Sequence, residues 1–250
     1  MKTFAPLSKT QYGIYVECVQ HLGEYCYNIT YLYTLDVGLD EEKLKAAIES
    51  VVAAHPTLFT RIELDEQGEP VQSIDDSETF SLEVERIIDI EAEKRGMVMP
   101  FHIFKDRLFR IRLLKDSEHF YIFVDVHHLI ADGTSLKVIL ADIDAAYSGK
   151  EIEPEVLTLA DVARAEAEQM KTPAFEECKQ WYAQNFDCSD TFSQLIPDSE
   201  GTDSRIGHAK RKLSVSMESI ESYCKAHGIF KNTFFTAVYS YLLAKYNNDQ

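Results

Sequence analysis

The sequence predicts an α/β sandwich, a mixed sheet flanked by helices. Helix-period and strand-period segments are interleaved along most of the chain. One strand, "HFYIFVDVHH" (119–128), is apolar on both faces, as a central strand covered from two sides must be. The composition agrees: 250 residues, 45% apolar and 27% charged, suit a globular chain with one large domain or two modest ones.

The elements follow in chain order. Ser8 and Gln11 match a capping box, and Ile14, Tyr15, Cys18, Val19 and Leu22 recur at helical spacing after them. "YNITYLYTLDV" alternates, with Tyr27, Ile29, Tyr31, Tyr33 and Leu35 on one face, and reads as a strand. Asp40 caps a second helix, Glu41 and Glu42 suit its positive end, Leu44, Ile48, Val51 and Val52 form its buried stripe, and Pro56 stops it. Strands are expected in "LFTRIELDE", "EPVQSI", "FSLEVER" and "LFRIRLLK", the first two joined by a hairpin-like "DEQG" turn. After the apolar strand, "SLKVILADIDAAYSGK" reads as a helix ending at Gly149. Two more helices are expected over Leu157–Met170 and Pro173–Phe186, the second capped by Thr172.

Residues 187–204 are rich in Asp, Ser and Gly without a sustained period, and read as a linker or crossover loop between 1–186 and 205–250. Beyond it, "RIGHAKRKLSV" reads as a strand, Ser216–Gly228 as a helix, and "NTFFTAVYSYLLAKY" as a last apolar helix. The residues after the loop are too few to build a second core.

Charge narrows the function classes. With 25 basic against 42 acidic residues, a net charge of −17, the chain is not expected to bind nucleic acid, which needs a basic surface. The densest basic stretches, "HAKRKL" and the arginines of "DRLFRIRL", read either as docking points for an acidic partner or as solvated strand faces. "MKTFAPLSKTQYG" lacks the apolar core of a secretory signal, and "FFTAVYSYLLA" is too short and polar to span a bilayer, so the expectation is a cytoplasmic protein with no membrane partner. The five cysteines (Cys18, Cys26, Cys178, Cys188, Cys224) are scattered without C-x-x-C spacing and read as small hydrophobes rather than a disulfide framework.

The chemistry concentrates in "FVDVHHLIADGTS". On a strand, His128 shares a face with Ile122, Val124 and Val126, while His127 lies on the other with Asp125. The pair therefore cannot ligate one metal in the usual way, and no third ligand stands at a recognisable spacing, so no metal is expected. The strand ends at the pair and the polar turn Ala131-Asp132-Gly133 follows. Ends of central strands are where clefts and reacting groups gather. An imidazole with an unperturbed pKa of about 6.5 is suited to take a proton near neutral pH. Asp132 can hold the turn, and the Gly133 N–H opens the next helix, a favourable place for developing negative charge.

"HHLIADG" resembles the H-H-x-x-x-D-G motif of nonribosomal peptide synthetase condensation domains, within the chloramphenicol-acetyltransferase-like superfamily. "PLSKTQYGIYV" resembles the family's opening S-x-x-Q helix, "AAHPTLFTRI" its second motif, and "PFHIFKDRLFRIRLL" the segment before the histidine strand. "LTLADVARAE" and "CKQWYAQNF" fall where its later helices lie. The resemblance implies a chloramphenicol-acetyltransferase-like fold and peptide-bond formation between two substrates carried as thioesters on the 4'-phosphopantetheine arms of upstream and downstream carrier domains, beside adjacent synthetase domains. No directly bound cofactor is implied. His128 would be catalytic, either as base or as a group that positions the amine. Gly133 would supply the oxyanion donor, and His127 and Asp132 would support the site structurally.

Two departures stand out. The family's second motif carries a basic residue that can pair with the motif Asp; this chain has Phe59 there, and Arg61, two residues on, is the candidate substitute partner for Asp132. The resemblance also covers the first lobe and only the opening of the second, so the expectation is the N-terminal part of a condensation domain with a truncated second lobe, inactive alone. A related acyl-CoA-dependent acyltransferase and a non-catalytic carrier-binding platform are the alternatives. The apolar helix Thr233–Tyr246 leaves room for a homodimer of the fragment.

Overall fold

The computed structural model describes residues 3–75, 77–186 and 210–247. Strand β1 (Ala5–Pro6) leads into helix α1 (Lys9–Gln20). The Ser8 Oγ accepts from the Gln11 N–H at 3.2 Å and Gln11 Oε1 accepts from the Ser8 N–H at 3.0 Å, which is the capping box expected from the sequence. Gln11 also reaches inward. It is buried, and its Nε2 donates to the Leu129 carbonyl at 3.0 Å and to Gln72 Oε1 at 3.1 Å. Gln72 Nε2 donates back to Gln11 Oε1 at 2.9 Å and to the Pro6 carbonyl at 2.9 Å. The cap of α1 is thereby tied to the turn that follows the histidine pair. Ile14, Tyr15, Cys18 and Val19 pack on the core, whereas Leu22 lies past the helix end and is exposed.

The main sheet is built from β2 (Asn28–Asp36), then β5 (Val84–Arg86), β6 (Phe109–Lys115) and β7 (His119–His127), in the order β2-β7-β6-β5. β2 and β6 flank β7 antiparallel, and β5 runs parallel to β6, so the sheet is mixed. The β2/β7 ladder runs from Asp36 opposite His119 to Asn28 opposite His127, placing His127 on its last rung. A second, smaller sheet pairs β1 and β3 (Thr60–Leu64) with β4 (Pro70–Ile74) between them. β3 and β4 form the expected hairpin, with Gly68 at φ +85° where a side chain would be strained.

β7 is covered on both faces. On one, Phe120, Ile122, Val124 and Val126 join Leu44, Ile48, Val51 and Val52 of α2 (Glu41–Ala54) and Leu136, Ile139 and Ile143 of α4 (Gly133–Tyr147). On the other, Tyr121 and Phe123 meet Leu114 and Met97, the last from α3 (Ile90–Met97). Each such side chain contributes about 1.5–3 kcal/mol on burial, which makes this strand the centre of the fold. Helix α5 (Leu159–Gln169) starts at Thr158 and packs on β1 and β4.

Three features differ from the sequence reading. Helix α3 has no counterpart in it: two turns in "IEAEKRGM" are too short for a period to register, and the start is set by Asp89, which accepts from the Glu91 N–H at 2.9 Å. "FSLEVER" is a strand only over Val84–Arg86, because the Leu82 N–H is taken at 2.8 Å by Glu49 Oε1 of α2 instead of a neighbouring strand. In "RIGHAKRKLSV", residues 210–215 are exposed and form no strand; residues 205–209 and the linker 187–204 lie outside the described residues.

By compactness the chain divides at Cys178/Lys179, inside helix α6 (Pro173–Asn185). In the second unit, α7 (Met217–His227) closes on Gly228 at φ +65° and buries Ile220 and Cys224, and α8 (Lys231–Asn247) follows. Among the described residues no helix is long and apolar enough to cross a membrane.

The buried Gln11–Gln72 pair generates a stability prediction. Gln11→Ala strands Gln72 Oε1 and the Leu129 carbonyl, and urea denaturation should show a loss of about 1–3 kcal/mol. A loss below the error of that measurement would mean the pair carries no net stability.

Candidate functional site

The two histidines differ sharply in surroundings. His127 is 4% exposed. Its Nδ1 accepts from the Leu129 N–H at 3.1 Å, so the proton sits on Nε2, which lies 3.5 Å from the Cys18 Sγ. Phe101 meets the ring edge-on at 5.9 Å, and Tyr27 lies at 6.3 Å. Burial, with the neighbouring His128 charge, lowers the His127 pKa to about 4, so the ring is neutral at physiological pH. Burial also pushes the Cys18 thiol up to about 11, so it meets the ring as a thiol.

His128 is exposed and lies one residue past the end of β7, not within the strand as its alternation implied. Its backbone N–H donates to the Tyr27 carbonyl at 2.8 Å, and the Tyr27 ring stands edge-on to it at 6.5 Å. The turn then passes through Ile130, whose N–H donates to the His127 carbonyl at 3.0 Å, and enters α4.

Asp132 caps that helix. Its Oδ1 accepts from the Thr134 N–H at 2.9 Å, the Ser135 N–H at 2.7 Å and the Ser135 hydroxyl at 2.8 Å. The hydrogen bonds from Ser135 lead in holding its carboxyl below the usual range, with those from Thr134 and the charge of nearby His128 adding to them. The Leu136 N–H is used by the Asp132 carbonyl at 3.2 Å. The Gly133 N–H, at the positive end of α4, has no protein acceptor among the described residues. A Cβ at Gly133 would stand 4.0 Å from the Tyr31 hydroxyl, and Tyr31 stacks on Tyr33 at 5.7 Å along the edge strand β2. In the sequence Tyr31 is only a strand residue; nothing in the pattern says that β2 brings its hydroxyl beside Gly133.

Arg61 is not the partner of Asp132. Its Nε donates to Glu78 Oε1 at 2.7 Å, and Arg107 Nε donates to Glu78 Oε2 at 3.0 Å, so one carboxylate holds both arginines. Asp132, meanwhile, is satisfied by the first turn of its own helix. Phe59 is buried edge-on against Phe109 at 5.8 Å, with the Arg107 guanidinium 5.5 Å from its ring. The position that resembles a basic one thus belongs to the aromatic core. The arginines of "DRLFRIRL" are likewise engaged within the chain: Arg107 with Glu78, Arg110 with Asp125, and Arg112 with Glu85 at 2.8 Å. They are not open docking points. Asp125 does not stand out in the sequence as a site residue, although a charged residue inside an apolar strand has to find a partner. Among the described residues no three His, Cys, Asp or Glu side chains are arranged to hold a metal ion.

The sequence model of the condensation domain matches residues 1–250. The chain is 27% identical over 186 residues to tyrocidine synthase 3 of Brevibacillus parabrevis, covering 73% of this chain and 3% of that protein. It is 26% identical over 268 residues to bacitracin synthase 1 of Bacillus licheniformis, covering 100% of this chain and 5% of the relative. Among solved structures, the condensation domain from monacolin K polyketide synthase superposes with a TM-score of 0.73 at 17% identity, over 98% of this chain and 60% of that one. The first condensation domain of the CDA synthetase gives 0.68 at 16% identity, over 98% and 63%. A mixed sheet whose central strand ends at His127, with exposed His128 opening the turn into an Asp-capped helix, in a chain matched along its whole length, defines an α/β protein of condensation-domain fold. The chain belongs to the condensation-domain family. It spans a small part of the curated synthases and about three fifths of the two solved domains.

Two measurements follow. The folded His127 pKa lies below the unfolded value of about 6.5, so the unfolded chain binds the extra proton first, and stability falls as pH drops from there towards about 4. The contribution is on the order of 3 kcal/mol. Urea denaturation at pH 7 and 4.5 should show a flatter pH dependence in His127→Gln than in the wild type; equal slopes would remove His127 as the source. Asp132→Ala should cost about 1 kcal/mol through loss of the helix cap, while Asp132→Asn, which still caps, should cost less. Equal losses would mean that charge, not capping, is what Asp132 supplies.

Proposed function

We propose that this chain supplies the histidine-bearing lobe of a nonribosomal peptide synthetase condensation domain acting in the cytoplasm, which joins two substrates delivered as thioesters on the phosphopantetheine arms of upstream and downstream carrier domains. The amine of the downstream aminoacyl group attacks the upstream acyl carbonyl. A C–N bond forms, the C–S bond breaks, and the proton leaving the amine ends on the departing pantetheine sulfur. His128 accepts that proton or positions the amine, and the Gly133 N–H faces the oxyanion. An α-amine of pKa about 8 is mostly protonated near neutral pH, so an acceptor at the reacting nitrogen speeds the step. Holding both tethered reactants together contributes further.

The observation that carries this reading is the division of labour in the turn. One imidazole is buried, neutral and committed to the Leu129 N–H, while the next is exposed beside a helix N-terminus whose first N–H is unused. His127 and Asp132 act by shaping that turn. The membership in the condensation-domain family supports the same chemistry.

The test is a turnover assay with one acyl-loaded and one aminoacyl-loaded carrier domain, using this chain alone and as part of a domain of the length of its solved relatives. The longer protein should form the condensed product on the downstream carrier, and His128→Ala should slow it about 10²–10⁴-fold. The chain alone should bind carriers without turnover. Product formation unaffected by His128→Ala, or carrier binding without turnover by the longer protein, would overturn the reading.

A further inference from the structure

We propose that Arg110, acting through Phe101, is a positioning residue for the histidine pair: it clamps the segment 99–101 onto the end of the central strand and so presses the Phe101 ring against His127. Asp125, two residues before His127, is a fully buried carboxylate. Arg110 stands opposite it on β6, and its Nη1 donates to Asp125 Oδ2 at 2.8 Å. The same guanidinium donates to the Met99 carbonyl at 2.7 Å and the Pro100 carbonyl at 2.9 Å. Asn28, on the last rung of β2, donates to the Met99 carbonyl at 3.0 Å and to both Asp125 carboxylate oxygens at 3.0 Å. One planar cation and one amide thus tie a connecting segment to three strands at the end where the histidines emerge.

The clamp has a single aromatic extension. The Arg110 guanidinium carbon lies 3.7 Å from the Phe101 ring centroid, and Phe101 in turn meets His127 edge-on. Phe101 is buried and therefore seals one side of the His127 imidazole. Lysine could replace the charge of Arg110 but not the flat face on Phe101 together with two carbonyl bonds and a carboxylate bond. This accounts for the inward position of the central arginine of "DRLFRIRL", opposite the buried Asp125. The titratable groups facing His127 are Glu17, Cys18 and His21 from α1 and its end, Glu24, Cys26 and Tyr27 from the segment before β2, and His128. Phe101→Leu alters none of them, whereas Arg110→Met also frees the carboxylate of Asp125, two residues before His127 on the same strand face, so Phe101→Leu is the variant without a charge change.

The clamp matters for catalysis only if His128 acts as proposed above, but its effect on His127 can be read without turnover. The experiment is an NMR titration of the 250-residue chain labelled with ¹⁵N-histidine, with the His127 signal identified by its loss in His127→Gln. In the wild type His127 should titrate near the acid limit, about 4, in the tautomer with the proton on Nε2. Arg110→Met and Phe101→Leu should each raise its midpoint by about one pH unit or more, as water reaches the ring. Arg112→Met, on the same strand face but bonded to Glu85, should leave it in place. A folded Arg110→Met or Phe101→Leu protein with His127 unchanged overturns the proposal, as does an equal shift in Arg112→Met. If Arg110→Met does not fold, Phe101→Leu decides alone, because it keeps the Arg110–Asp125 pair and removes only the ring. Absence of condensation activity would leave the His127 result standing, so the two readings fail separately.

Discussion

Burial of β7 on both faces is the constraint from which the rest of the structure follows. A strand with Phe120, Ile122, Val124 and Val126 on one side and Tyr121 and Phe123 on the other has no solvent face. It must therefore be flanked by strands and covered by helices, and β2, β6, α2, α4 and α3 do so. The ladder with β2 stops at His127. Beyond that rung the backbone is free to turn, and one residue of turning separates a buried imidazole from an exposed one.

A strand end so placed carries polar groups out of a dry core, and each needs a partner. The His127 Nδ1 takes the Leu129 N–H, the Leu129 carbonyl takes the Gln11 amide, and Asp125 takes Arg110 and Asn28. Asp132 closes the first turn of α4 on itself. These contacts converge on the turn from α1, β2, β4 and β6, so its geometry is set by several elements at once. Rigidity of this kind is what a site needs if an exposed side chain is to meet a tethered substrate in one orientation. Among the described residues the Gly133 N–H, at the positive end of α4, is left without a protein acceptor.

Local patterns are legible where the governing interaction is local. The capping box of Ser8 and Gln11, the Asp40 cap, the α2 stripe and the β3–β4 hairpin each join residues close together in the chain, and the structure contains all of them. Helix α3 is invisible in the pattern because two turns hold too few periods, and the strand in "FSLEVER" is cut short because a helix side chain takes a strand's hydrogen bond. The different partner of Arg61 has the same origin. Strand alternation gives the face on which a side chain lies, but not which of several carboxylates across that face captures it, and Glu78 is the one within reach.

The class of fold, the longer helices and strands, and the place of the histidine turn at the end of a buried strand are written in neighbouring residues, through periodicity and capping. Tertiary packing was needed to make His127 the buried, neutral ring and to leave His128 outside the strand. The same packing lets Asp132 cap its own helix without a cation, and brings Gln11, Arg110 and Tyr31 to the turn from distant segments. The physical reason is range. Hydrogen bonds at this site join residues as far apart as Gln11 and Leu129, or Cys18 and His127, and the strength of each depends on burial, which no single stretch of chain specifies.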